Sequence, residues 1–165
     1  MISTAEYVTE NLSCISKGSE IILKTTSGKE TFFQVRKVFP GGIDSDFSQN
    51  LWNIPGTYTP QTRAQVYRFD KKDGIFRDIF LSASDNLDHL CLEPEQIRQF
   101  VTEYSHWLHP GGIATLVLLR SKNNSDYSVA WIDETCLGLR LRRFNFSLKS
   151  VWNCAFGLYV IIPES

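Results

Sequence analysis

No run of apolar residues in the chain approaches the ~20 that a membrane-crossing helix needs, so no such span is expected. The four cysteines, Cys14, Cys91, Cys136 and Cys154, are far apart and form no Cys-x-x-Cys pair. That spacing argues against a zinc ribbon or a dithiol redox motif. Met1-Ile2-Ser3-Thr4 reads as the start of a polar helix rather than a signal peptide, which favours reduced thiols and a cytoplasmic protein. A formal net charge of −1 over 165 residues provides no overall field to draw the chain to nucleic acid or a membrane surface. Histidine occurs only three times, and no nucleophile–base pairing is visible. Repeats, low-complexity tracts and linkers are also missing, so residues 1–165 are expected to form one domain with an ordinary core.

The most legible stretch is Leu92–Arg120. Pro94 suits a first helical turn, and Glu93 and Glu95 put negative charge at the positive end of the helix dipole. Ile97, Phe100, Val101, Tyr104 and Leu108 recur at helical spacing, predicting a helix over about 94–109 that Pro110-Gly111-Gly112 ends. Ile113–Leu119 is almost continuously apolar and reads as a central strand covered on both faces.

Ser3-Thr4-Ala5-Glu6 has capping-box spacing, and Ala5, Val8, Leu12 and Ile15 extend it as an N-terminal helix. Hairpins are expected from Glu20–Thr26 with Glu30–Phe39, from Arg63–Phe69 with Ile75–Ala83, and from Ile113–Leu119 with Tyr127–Ile132. The first resembles the opening of a small SH3-like barrel. Leu137–Phe146 alternates, with Leu139 and Leu141 inward and Arg140 and Arg142 outward, and Ala155–Ile162 is an apolar last strand. The expected fold is therefore α+β: a largely antiparallel sheet of about seven or eight strands, curled or barrel-like, with two helices.

Three patterns bear on chemistry. Glu103, His106 and His109 lie three residues apart and suggest zinc, although a histidine near a helix C-terminus is better explained by the dipole. Asp44, Asp46, Ser48 and Asn50 alternate like half a calcium loop, but Gln49 and Pro55 stand where its glycine and bidentate glutamate belong. Arg140, Arg142, Arg143 and Lys149 gather near Phe144, Phe146 and Trp152, the residue types that anchor an anionic partner or a single strand. Acids at Asp78, Asp85, Asp88, Glu93, Glu95 and Glu103 are available to offset them, and alternating arginines also guard sheet edges. Pro40–Thr62 exceeds the ~12–15 residues above which structureless loops are uncommon, yet carries Trp52 and Tyr58.

Phe76–Leu119 resembles the later half of class I S-adenosylmethionine-dependent methyltransferases, in which a strand, a helix and a Leu-x-Pro-Gly-Gly turn precede a core strand. That resemblance implies a degenerate methyltransferase. The family's glycine-rich cofactor loop has no counterpart here, since Gly41-Gly42 lacks the spacing. The favoured expectation is a binding or adaptor domain that needs no cofactor and contacts another protein through Trp52, Tyr58, Arg140, Arg142 and Arg143. A barrel holding a small apolar ligand and a single-stranded nucleic-acid binder are the alternatives.

Overall fold

The computed structural model describes residues 12–48, 55–70, 73–110, 113–121, 126–146, 152–153 and 157–164. In chain order the strands are β1 (Leu12–Cys14), β2 (Ile21–Leu23), β3 (Gly42–Ile43), β4 (Thr62–Phe69) and β5 (Asp73–Gly74), then β6 (Thr115–Arg120), β7 (Tyr127–Thr135), β8 (Gly138–Asn145), β9 (Trp152–Asn153) and β10 (Leu158–Pro163). The helices are α1 (Phe32–Val35), α2 (Phe76–Ala83) and α3 (Pro94–Glu103). Among the described residues, eight strands form one sheet in the order β1-β4-β10-β6-β7-β8-β3, with β2 beside β1 on the same edge of β4; β5 and β9 pair separately.

The fold is α+β, but the sheet is mixed and open. β10 runs parallel to β6 and β3 runs parallel to β8, whereas the other pairings are antiparallel. The curled, barrel-like expectation is therefore corrected. A largely antiparallel sheet is only partly what forms, because the last strand inserts between β4 and β6, far from either in sequence.

Both faces of the sheet are covered. One carries Val117, Leu119, Ala130, Ile132 and Leu141 against Ile97, Phe100 and Val101 of α3 and Phe32 and Val35 of α1. The other carries Leu116, Leu118, Val129 and Val160 against Phe76, Ile79 and Phe80 of α2. β6 is buried from Thr115 to Leu119, as its unbroken apolar run predicts.

Several expected strands are helical. Residues 30–39 do not form the second arm of a hairpin. Thr31 caps α1 reciprocally with Gln34, and Phe32 and Val35, three apart, both reach the core. The likeness to an SH3-like barrel falls with that strand. Ile75–Ala83 likewise reads as alternating, yet Phe76, Ile79 and Phe80 share one helical face, and helix burial wins. The expected N-terminal helix falls mostly on residues 1–11, outside the described ones; its last part, Leu12–Cys14, is β1. There the Ile15 amide donates to the Val66 carbonyl at 2.9 Å, and the buried Ser16 hydroxyl accepts the Val66 amide at 2.8 Å. α3 ends at Glu103, and a short 3-10 turn over Ser105–Trp107 replaces the predicted last turn.

The outer side of β2 and that of β8 each meet a partner that is not a full strand. Tyr104, capping α3, uses its hydroxyl to accept the Ile22 amide at 3.1 Å and donate to the Ile22 carbonyl at 3.2 Å. Gln99 of α3 accepts the Lys24 amide at 2.7 Å and donates to its carbonyl at 3.2 Å. Two side chains thus supply what a neighbouring strand would give β2. On the far side the Gly41 and Asp44 amides donate to the Leu139 and Leu141 carbonyls at 2.8 and 3.0 Å, and the Asp44 carboxylate accepts the Arg143 amide at 2.7 Å. Glycine is required at position 41, since a Cβ there would lie 2.6 Å from the Gly138 carbonyl oxygen.

Gln99→Leu is predicted to lower unfolding free energy by about 2 kcal/mol and Tyr104→Phe by about 1 kcal/mol, because backbone groups lose partners. Gly41→Ala should cost about 2 kcal/mol by lifting its segment from β8. Urea denaturation measures all three.

Candidate interaction surface

The hairpin of β7 and β8 carries the arginines singled out in the sequence. Its register places Trp131 opposite Arg142, Asp133 opposite Arg140 and Val129 opposite Phe144. Side chains alternate across a strand, so Arg140, Arg142 and Phe144 share the face that α2 packs against, while Arg143 points with Leu141 to the α3 face. The expectation of one arginine patch is corrected by that alternation. Nor are Arg140 and Arg142 turned to open solvent, because this face too is covered.

The three arginines have different surroundings. Arg140 binds Asp133 through two parallel contacts, Nε to Oδ1 at 3.0 Å and Nη2 to Oδ2 at 2.7 Å. The Asp133 side chain is only 9% exposed and also accepts the Trp131 indole N–H at 3.2 Å. These hydrogen bonds with Asp133 raise the Arg140 pKa further, against the opposing effect of burial. Arg143 reaches Asp46 through Nε at 3.1 Å and Nη2 at 2.6 Å, and donates to the Ser128 hydroxyl at 2.9 Å. The partners are thus Asp133, Asp46 and Asp44 rather than the acids anticipated from sequence.

Arg142 differs from both. Its guanidinium carbon lies 5.6 Å from the Trp131 ring centroid and 5.0 Å from that of Phe144, within cation–π range. Its Nε is buried without a hydrogen-bond partner, and no acid among the described residues pairs with it. Phe76 of α2 supports the strip, with its ring 6.3 Å from Trp131 and 5.6 Å from Phe144. Trp131, Arg142 and Phe144 are half-buried, at the margin of the α2 contact.

Tyr58 belongs to a separate place. It is 67% exposed, and the residue before it, Thr57, is held at the start of α3. Glu93 accepts the Thr57 amide and hydroxyl at 3.2 and 2.9 Å, and Glu95 accepts the Ser27 and Gly28 amides at 3.1 and 3.2 Å. Gly28, at φ +72°, sits so close that a Cβ would lie 2.4 Å from the Tyr58 amide nitrogen. The carboxylates expected at the helix dipole therefore also fasten two loops. Trp52, Lys149 and the Trp152 side chain fall outside the described residues.

The remaining chemical patterns come apart. Glu103 pairs with Lys24 at 3.3 Å, and the His109 ring packs on Tyr159 with centroids 4.1 Å apart. Asp44 and Asp46, the first half of the calcium pattern, both engage Arg143. No group of three His, Cys, Asp or Glu side chains among the described residues is placed to hold a metal. The segment that the methyltransferase resemblance needs as a strand is helix α2. Cys14 and Cys136 are free thiols, the Cys91 thiol donates to the Leu87 carbonyl at 3.4 Å, and no helix among the described residues is long and apolar enough to cross a membrane.

One cluster was not anticipated. The Tyr127 hydroxyl donates to Asp88, which also meets Arg120 at 2.9 Å. Facing positions at the ends of β6 and β7 bring Arg120 and Tyr127 together.

No protein-family model, curated protein or solved structure matches the chain.

The hydrogen bond to Asp88, aided by partial burial, pushes the Tyr127 pKa up to about 12 from 10.0. The stability it contributes is fully present below pH 10 and is lost as pH rises through about 12. Tyrosine-selective NMR titration should find that midpoint in the native chain and a lower one in Asp88→Asn.

Proposed function

We propose that the chain is a non-catalytic binding domain whose partner is another protein, contacted through the Trp131–Arg142–Phe144 strip. One observation carries this reading: of the three arginines on β8, Arg142 alone has no acid partner among the described residues, and it rests on two aromatic rings. Arginine and aromatic residues at partly buried positions are those that concentrate interface energy. Tyr58, exposed beside the fastened Thr57, is a second contact point near the α3 N-terminus, and it is not part of the same patch.

A single-stranded nucleic acid has less support. It needs a row of available cations, and Arg140 and Arg143 are both engaged with carboxylates. An apolar-ligand barrel needs a closed sheet, and this one is open.

Affinity capture with the native chain, followed by identification of what is retained, tests the reading. Arg142→Met, which keeps the packing on the rings and removes the charge, should abolish retention of a specific protein while leaving the thermal midpoint nearly unchanged. Equal retention by native chain and variant would reject this surface. Arg140→Ala is unsuitable, because leaving the Asp133 carboxylate without its main partner would cost about 1–3 kcal/mol of stability.

A further inference from the structure

Resting on that reading, we infer that the partner presents an acidic side chain, aspartate or glutamate, to the guanidinium of Arg142, with an apolar neighbour laid against Phe144. The strip is a ladder of three cross-strand pairs: Val129 with Phe144, Trp131 with Arg142, and Asp133 with Arg140. The last pair is neutral by its own bidentate contact, and the first is apolar. Only the middle rung leaves a charge uncompensated.

A guanidinium offers five N–H donors and no acceptor. Here the group is held by stacking, and its Nε meets no acceptor among the described residues. Half-burying such a cation is unfavourable until an anion or a set of acceptors reaches it. With Nε covered, the approach left is across the two terminal nitrogens, whose fork matches the oxygens of one carboxylate.

The charge of the ligand is limited by the neighbouring rung. Asp133 holds a fixed carboxylate one pair away, and Arg140 is already committed to it. A phosphate group of about −2 charge would need more than one available cation and would be repelled by Asp133. One carboxylate matches one free guanidinium. The half-buried Phe144 ring beside it supplies a surface for an apolar side chain of the same segment.

The test uses two capped probes, acetyl-Leu-Glu-Leu-amide and acetyl-Leu-Gln-Leu-amide, titrated into the whole chain. The readouts are the Trp131 indole N–H, assigned by its loss in Trp131→Phe, and the Arg142 Nε–H signal. The glutamate probe should shift both saturably. The glutamine probe should bind at least roughly tenfold more weakly, the loss expected for a charge-assisted hydrogen bond. Arg142→Met should remove the difference between probes. Equal affinity for both probes on the native chain would overturn the assignment, and so would a glutamate preference that survives in Arg142→Met. The comparison on the native chain needs no variant to fold. If capture depends on Arg142 but the probes are not distinguished, the acidic assignment fails while the binding reading stands; if capture ignores Arg142, the binding reading itself fails.

Discussion

Backbone groups at the edge of a sheet need hydrogen-bond partners, and this fold meets that requirement with side chains and short segments instead of further strands. Gln99 and Tyr104 occupy the outer edge of β2 through both the donor and the acceptor of two residues. This fixes α3 in angle and height over the sheet, and with it the positions of Ile97, Phe100 and Val101 in the core. The same helix start fastens Ser27-Gly28 and Thr57 through Glu95 and Glu93. Along β8, the segment from Gly41 to Asp44 plays the equivalent part and brings Asp46 to Arg143.

That arrangement determines which arginine is left over. Covering β8 engages Arg143 from one face, and the hairpin register engages Arg140 with Asp133 on the other. Arg142, between them in sequence and opposite Trp131 across the strands, receives rings instead of carboxylates. The candidate surface is thus a consequence of how the edge strand is secured.

Elements dominated by local chemistry were readable in the sequence. The apolar run of β6, the proline and acids opening α3, and the alternation in β4 appear where their residues indicate, and β8 forms as a strand although it is half-buried on both faces instead of alternating inward and outward. Ile75–Ala83 misled because Ile75, Ile79 and Leu81 fall on one face of an alternating strand and Phe76 and Phe80 on the other, while Phe76, Ile79 and Phe80 satisfy 3.6 as well; only packing on Phe144, Phe146 and Trp131 decides between them. Residues 30–39 carried a usable signal in Thr31 and Gln34, which have the spacing of the capping box that forms. The parallel insertion of β10 had no local signal, because pairing between distant segments is set by the whole sheet. The separation of Arg143 from Arg142 was legible from alternation alone. The Asp133–Arg140 pair was too, once Thr135 and Gly138 are recognised as the ends of a two-residue turn.

Side chains cover the outer side of β2, and a short segment covers that of β8, in solution. Native-state amide hydrogen exchange tests it directly at Ile22, Lys24 and Arg143, whose amides donate to Tyr104, Gln99 and Asp44. Exchange at all three slowed to rates near those of the central β6 amides is the expected result. Exchange at the rates of unprotected backbone would contradict the account.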